Sequence, residues 1–292
     1  MINNVIIVLN YNDFETTVNF IKSINNYTSF DKIIVVDNAS TDDSFSVLKK
    51  YKTSKIDVIV TDRNGGYAYG NNYGVRYAIE KYSPKYITIS NPDVFIENNS
   101  INSIIEVLDS NKSVALATGI MVDENNKISK DFAWKIPNFY DDIRACFLFI
   151  SKFRNKIRYN LDSIKNCDIL DVEVVPGSFF IIKRSIFEKV NFFDEDTFLF
   201  CEERILAIKL KKNNYKSVIL TTEKFIHYHS KTINKNIVNH IKKYDLLKES
   251  KIIYMRKYLA ISELKIKIYN IIHEISKVEK YLLNFYINKL KK

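Results

Sequence analysis

The feature that most constrains this chain is an alternation of short β-branched runs with helix-length segments. Val5-Ile6-Ile7-Val8-Leu9 is uninterrupted by polar residues, as expected of a strand buried on both faces. Residues 32–36, Ile56–Val60 and Tyr86-Ile87-Thr88-Ile89 repeat the pattern. Between the first two runs, residues 16–26 place Val18, Ile21 and Ile24 on one helical face. The alternation predicts an α/β fold with a mainly parallel central sheet and right-handed crossovers. Ligands of such sheets gather beyond the carboxyl ends of the strands, so the loops that follow these runs are where function is sought.

Those loops are rich in chemistry. Asn10-Tyr11-Asn12-Asp13 closes the first run with turn and capping residues. Asp37-Asn38-Ala39-Ser40-Thr41-Asp42-Asp43-Ser44 follows the second as a dense set of caps and acceptors. Residues 62–72 hold three of the chain's six glycines and lead into a helix expected over about 69–82, so backbone can approach a ligand there. The loop lacks G-x-G-x-x-G spacing and follows the third strand, which argues against a dinucleotide site. After the fourth run, Pro92 cannot donate to a sheet ladder, and the strand should stop with Asp93 just past its edge. Asp93 reads either as the cap of a strand-to-helix turn or as a carboxylate that holds a divalent cation against a phosphate.

A helix near 100–110 and a strand over 114–118 come next. Residues 120–170 are less regular and aromatic, with Phe132, Trp134, Phe139, Tyr140, Phe147, Phe149 and Phe153. Ordinary core packing and the wall of an acceptor site both account for them. Further strands are expected over 172–175, 179–182 and 216–220, with Pro176-Gly177-Ser178 as a turn and a short helix over 184–190. Glu202-Glu203 opens a helix to about Asn213, where two carboxylates in the first turn also suit the helix dipole.

Composition sets the outer limits. At 292 residues and 46% apolar, the chain suffices for one large domain or a domain with an appendage. No apolar run approaches the ~20 residues of a membrane span, and residues 1–10 lack secretory-signal features, which makes the cytoplasm the expected compartment. Cys146, Cys167 and Cys201 are odd in number and far apart, as reduced core thiols are. The charge is unevenly spread. Residues 231–292 carry 15 of the 44 basic and 5 of the 34 acidic side chains, so the whole excess of +10 falls there. A division into a neutral body, 1–230, and a basic helical extension, 231–292, follows. Within the extension a helix over about 235–260 precedes Leu264, Ile268, Ile271, Ile275, Val278, Leu282 and Phe285, spaced four and three apart. With lysines around it, this stripe suits an anionic membrane surface, or packing on the preceding helix. Nucleic acid is the poorer partner, because the basic residues flank an apolar stripe and are not interleaved with stacking aromatics.

Taken in order, six segments resemble family-2 inverting glycosyltransferases of the rhamnosyl- and galactofuranosyl-transferase type that build bacterial surface polysaccharides. They are Val8–Asn12, Val35–Asp42, Arg63–Asn72, Asn91-Pro92-Asp93, Gly177-Ser178 and Phe198–Glu203. The resemblance covers about residues 1–230 and implies a GT-A fold, a UDP- or dTDP-sugar donor and a divalent metal, Mg2+ or Mn2+. It implies that Asp37 accepts from the base or ribose, with Asn10, Tyr11, Asn38 and Ser40 beside it. Arg63, Asn64, Gly66, Asn71 and Gly177 would shape the donor pocket. Asn91 and Asp93 stand where the family has D-x-D, so only Asp93 keeps a carboxylate for the metal, with His227 or His229 as the late histidine. Glu203 takes the place of the catalytic base, and Glu202 is its neighbour and alternative. The acceptor implied is a glycan of the lipid-linked kind, reached at the inner face of the cell membrane, and the expected partners include a second copy of the chain. A catalytically silent nucleotide-sugar-binding subunit is the alternative function.

Overall fold

A computed structural model describes residues 2–147, 157–165, 167–228 and 240–290, without the side chains of His240 and residues 281–290. His229, Phe149, Phe153 and the side chains of Leu282 and Phe285 therefore lie outside the described residues. The first four β-branched runs become β1 (Asn4–Asn10), β2 (Lys32–Asp37), β3 (Ile56–Val60) and β4 (Tyr86–Ser90). They are joined by α1 (Phe14–Ile24), α2 (Ser44–Leu48) and α3 (Gly66–Tyr82). β1 pairs in parallel with both β2 and β4, and β3 lies parallel outside β2. The parallel half of the sheet is thus as the sequence leads one to expect. α1 buries Val18, Phe20, Ile21 and Ile24, the face that the spacing foretells, together with Thr17. α3 begins three residues earlier than expected, because the glycine loop is itself its first turn.

The second half of the sheet is mixed. β5 (Val94–Ile96), α4 (Asn98–Ser110), β6 (Val114–Val122), α5 (Phe139–Arg144), β7 (Ile169–Val172), β8 (Phe179–Lys183), α6 (Arg184–Lys189), α7 (Glu202–Lys212) and β9 (Lys216–His227) follow in chain order. The nine strands of the described residues run β3-β2-β1-β4-β8-β6-β9-β5, with β7 also on β9. β8 is antiparallel to both β4 and β6, and β9 is parallel to β6. Three details differ from the sequence expectation. β5 is a short strand directly after Pro92-Asp93, a run too brief to announce itself. β7 ends at Val172, and Val174 instead bridges to Trp134. β9 continues seven residues beyond Leu220, hidden by the polar run Thr221-Thr222-Glu223-Lys224. A register shift absorbs that run, since Gly119 faces Leu220 but Ile120 faces Lys224.

The chain ends in α8 (His240–Lys257) and α9 (Glu263–Leu290). α8 lies on the body. Its Tyr254 and Met255, both fully buried, share a second apolar cluster with Phe139, Cys146, Cys201, Ile205, Ile208 and Tyr269. Around this cluster, the Ser250 hydroxyl donates to the Leu199 carbonyl at 2.7 Å. Lys257 and Tyr258 reach Asp194. α9 packs on α8 through Ile266, Tyr269, His273 and Ser276, all buried, and through Lys277–Asp245 at 2.7 Å and Lys248–Glu274 at 2.9 Å. The stripe Leu264, Ile268, Ile271, Ile275 and Val278 is not the packed face and stays exposed. No helix among the described residues is long and apolar enough to cross a membrane.

Tyr254 tests whether α8 is structural. Truncating a buried aromatic costs about 3–5 kcal/mol through lost contacts and the cavity left behind. Tyr254→Ala is expected to lower the denaturation free energy of the whole chain by that amount, read from urea unfolding followed by circular dichroism. A change under about 1 kcal/mol would show that α8 adds little to the folded body.

Candidate active site

The carboxyl ends of β1, β2 and β3 build one side of the site. Register sets Asn10 opposite Asp37, and the two residues are bonded through Asn10 Nδ2 to Asp37 Oδ2 at 2.8 Å. Ser40 closes the group: its backbone N–H donates to Asp37 Oδ1 at 2.9 Å and its hydroxyl to Asp37 Oδ2 at 2.8 Å. Asp37 is 1% exposed. Its lone pairs are largely engaged by its own neighbours, which fixes the carboxylate's direction and leaves limited capacity for a ligand. Asn38 reaches across to the glycine loop, donating to Asn64 Oδ1 at 3.0 Å and to the Gly66 carbonyl at 3.1 Å. Tyr11 is half-buried beside this group. Arg63 points along the surface, 66% exposed, pairing with Asp62 and lying over the Tyr69 ring.

The glycine loop then meets the second half of the sheet. Gly66 has φ +88°, and a Cβ there would stand 2.0 Å from the Phe198 carbonyl oxygen, so only glycine fits. The next amide, of Tyr67, donates to that same oxygen at 2.8 Å. The Tyr67 hydroxyl donates to the Gly177 carbonyl at 2.6 Å. Burial, then the charges of Glu202, Glu203 and Asp93, push this phenol well above its usual range, so it remains a neutral donor. Asn71 is buried with its amide donating to the Tyr67 carbonyl at 3.0 Å, and its Oδ1 finds no hydrogen-bond partner among the described residues.

Beyond β4, Asn91 donates its backbone N–H to the Ser178 carbonyl at 2.8 Å, which ties the Asn91–Asp93 turn to the Pro176–Ser178 turn. Asp93 is 6% exposed and lies with Oδ1 3.3 Å from His227 Nε2. The β5–β9 ladder makes this pair, because Val94 stands opposite His227 and the Tyr228 amide donates to the Asp93 carbonyl. An oxygen donor and an imidazole nitrogen facing each other at this separation fit a shared Mg2+ or Mn2+ ion.

Glu202 and Glu203 sit in the first turn of α7, after two residues held in left-handed backbone, Phe200 at φ 74° and Cys201 at φ 70°. Two successive non-glycine residues in that region are strained, which fits a functional turn. Glu202 is 3% exposed. Burial, then the charge of Glu203, raises its carboxyl well above the ordinary range, which favours the protonated form. Burial also raises Glu203, against the backbone N–H of Glu203, the Arg204 charge and the Gly177 amide. A Cβ on Gly177 would come 3.0 Å from Glu203 Cγ and 3.1 Å from its Oε1. Glu203, Gly177, Tyr67 and Asp93 therefore share one neighbourhood. The Cys201 thiol, pushed up to about 12 by burial, is an inert packing group.

Three contributors escape the motif reading. Tyr67 is announced only by lying directly after the glycine pair. Asp142 is buried on α5 and holds Arg204 at 3.0 Å and Lys251 at 2.9 Å; nothing in the sequence links these three positions. A cavity of about 310 Å³ lies against this group, lined among others by Trp134, Arg144, Arg158, Arg204 and Lys251.

With this geometry in view, the relatives fall into place. Residues 5–190 match the family model described as Glycosyl transferase family 2. The chain is 28% identical over 166 residues to rhamnosyltransferase WbbL of Escherichia coli K12, covering 56% of this chain and 61% of that protein. It is 23% identical over 210 residues to the low-salt glycan biosynthesis hexosyltransferase Agl10 of Haloferax volcanii, covering 72% of this chain and 62% of that one. The matched region thus spans about three fifths of each curated relative. In fold it resembles mannosyltransferase PcManGT from Pyrobaculum calidifontis in complex with GDP-Man and Mn2+, with TM-score 0.59, 15% identity, and 87% and 64% of the two chains covered. It also resembles S. aureus TarS 1–349, with TM-score 0.53, 13% identity, and 93% and 69% covered. The chain has the GT-A fold and belongs to glycosyl transferase family 2.

Proposed function

We propose that this chain is an inverting glycosyltransferase that moves a sugar from a nucleoside diphosphate to a hydroxyl of a glycan. One observation carries the reading: the Asp93–His227 pair and Glu203 converge on the same end of β4, joined through Gly177 and the Asn91–Ser178 bond. The Asn10–Asp37–Ser40 group and Asn38, Asn64 and Gly66 form the side that receives the nucleotide, a UDP or dTDP. Asn71, with a buried acceptor oxygen, and the outward-facing Arg63 complete that side.

In the reaction the acceptor hydroxyl attacks the anomeric carbon as its bond to the diphosphate breaks, a single displacement that inverts configuration. Glu203, ionised, takes the hydroxyl proton, which is general-base help of roughly 10²–10⁴-fold. Glu202, whose carboxyl burial pushes further toward the protonated form, stands beside the base as a polar neighbour. Asp93 and His227 would hold a divalent cation, which supplies charge neutralisation for the departing diphosphate. The names of the relatives support sugar transfer in glycan synthesis, and the Mn2+ in the PcManGT structure supports a metal. The cavity bounded by Trp134, Arg144 and Arg158, whose arginines are paired with Asp141 and Asp131, suits the face and hydroxyls of an acceptor sugar. The excess charge of +10 in residues 231–292 would draw the enzyme to an anionic membrane face where such an acceptor lies.

Thermal unfolding against a panel of nucleotide sugars is expected to show protection by one donor in the presence of Mn2+ or Mg2+. Asp93→Ala is expected to remove at least about 100-fold of transfer, together with the metal-dependent part of the protection. Protection without turnover by any donor–acceptor pair would leave a nucleotide-sugar-binding subunit instead.

The base is identified by pH. A carboxyl raised by burial ionises only above its ordinary 4.5, so transfer should fall as pH drops through a midpoint higher than that. Glu203→Gln is expected to lose roughly 10²–10⁴-fold at every pH, whereas Glu202→Gln keeps the acidic limb. The reverse pattern would assign Glu202 as the base.

A further inference from the structure

α9 carries two apolar faces, and among the described residues only one is packed. Ile266, Tyr269, His273 and Ser276 are buried against α8. At about 100° per residue, Leu264, Ile268, Ile271, Ile275 and Val278 lie on nearly the opposite side. Their exposures are 70, 44, 62, 57 and 60%. Five large aliphatic side chains in an unbroken four-three spacing are more than scattered surface apolar residues.

The form of this stripe selects its occupant. It is one side chain wide, the narrow seam of a coiled coil, where an interfacial membrane helix has a broad apolar face with basic edges. Its edges are mixed: Lys265 and Glu279 on one side, Lys267 and Glu274 on the other. Acidic residues at the rim oppose an anionic bilayer but suit interhelical pairing.

We infer that the outward face of α9 is a homodimer interface, in which the α9 helices of two copies of this chain pack antiparallel. Ile271 of one copy faces the partner's Ile275, Ile268 the partner's Val278. That register sets Lys265 against the partner's Glu279 twice, once at each end. In a parallel pair Glu274 would instead meet the partner's Glu279 on both sides, like against like. The antiparallel arrangement brings the two Glu274 side chains near the axis, where each already has Lys248 at 2.9 Å within its own chain. With α8 behind each α9, the interface becomes a four-helix layer. The inference goes beyond the proposed glycosyl transfer and does not rest on it.

Sedimentation equilibrium of the full chain without lipid tests it. A species of twice 34.3 kDa is expected. Ile271→Glu with Ile275→Glu, both exposed, should leave circular dichroism unchanged and raise the dimer dissociation constant at least about 100-fold. Lys265→Glu and Glu279→Lys should each weaken the dimer, and the two together should restore it. A monomeric wild type overturns the inference, as does a dimer indifferent to the isoleucine substitutions. Failure of the charge swap to rescue overturns the antiparallel register. Flotation of a monomeric wild type with phosphatidylglycerol vesicles, lost in the isoleucine variant, would assign the stripe to a bilayer.

Discussion

The antiparallel insertion of β8 between β4 and β6 is the constraint on which the site depends. Phe179 pairs with Ser90, so β8 begins where β4 ends. The turn before β8 is thereby delivered to the edge that carries Asn91 and Asp93, and Asn91 extends the ladder by bonding Ser178. Were β8 parallel, its leading turn would sit at the far edge, about five residues or ~17 Å away. Thr118 on β6 secures the junction by donating to the Phe179 carbonyl at 2.8 Å. Because β6 then runs with β4, and β9 with β6, His227 reaches the same edge from the end of β9. Reversing one strand brings together three segments that together span more than a hundred residues of sequence.

The charges around α7 oppose the effect of burial on Glu203. Asp142 is buried between Arg204 and Lys251. Burial raises its carboxyl, but the two cations outweigh that and hold it below the ordinary range. Two cations against one carboxylate leave one positive charge in excess in a poorly hydrated region, which is costly if left alone. Glu203, next in sequence to Arg204 and lowered by its charge, is positioned to supply the missing negative charge. The Arg204 charge favours an ionised Glu202 too, but Glu202 is the deeper of the two, and burial with the neighbouring Glu203 outweighs it. Burial thus raises both carboxyls, Glu202 the further, and the two release their protons in steps that belong to the pair.

How much of this was legible in the sequence depends on how local the determinant is. β1 to β4 could be read because strands buried on both faces must be continuously apolar, and the spacing of Val18, Ile21 and Ile24 is a property of one helix. Motif order carried the GT-A fold. β5 was not legible: three residues carry too little pattern, and its pairing with β9 is fixed only by the folded sheet. The polar run at Thr221–Lys224 likewise hid half of β9, since a bulge tolerates residues that a regular strand rejects. For the stripe on α9, spacing told which residues lie together but not which way they point. The side chains that decide that, Tyr269 and His273, belong to a face of the same three-four spacing that is less uniformly apolar.

The segment that leads into α7 shows why the charge boundary near residue 230 is not a packing boundary. Phe200 and Cys201 occupy left-handed backbone that costs of order 1–3 kcal/mol for each such residue. That conformation persists only if surrounding contacts over-determine it. The contacts here come largely from α8: Ser250 holds the Leu199 carbonyl, Lys257 and Tyr258 hold Asp194, and Tyr254 packs with Cys201 in one cluster. The Tyr254 hydroxyl also donates to the Pro137 carbonyl, so the same helix steadies the segment that carries α5 and Asp142. Removing α8 would leave the strained turn with its inner side only, free to relax toward ordinary backbone and to carry Glu203 away from Gly177. The basic extension thus braces from behind the carboxylate that the body presents in front.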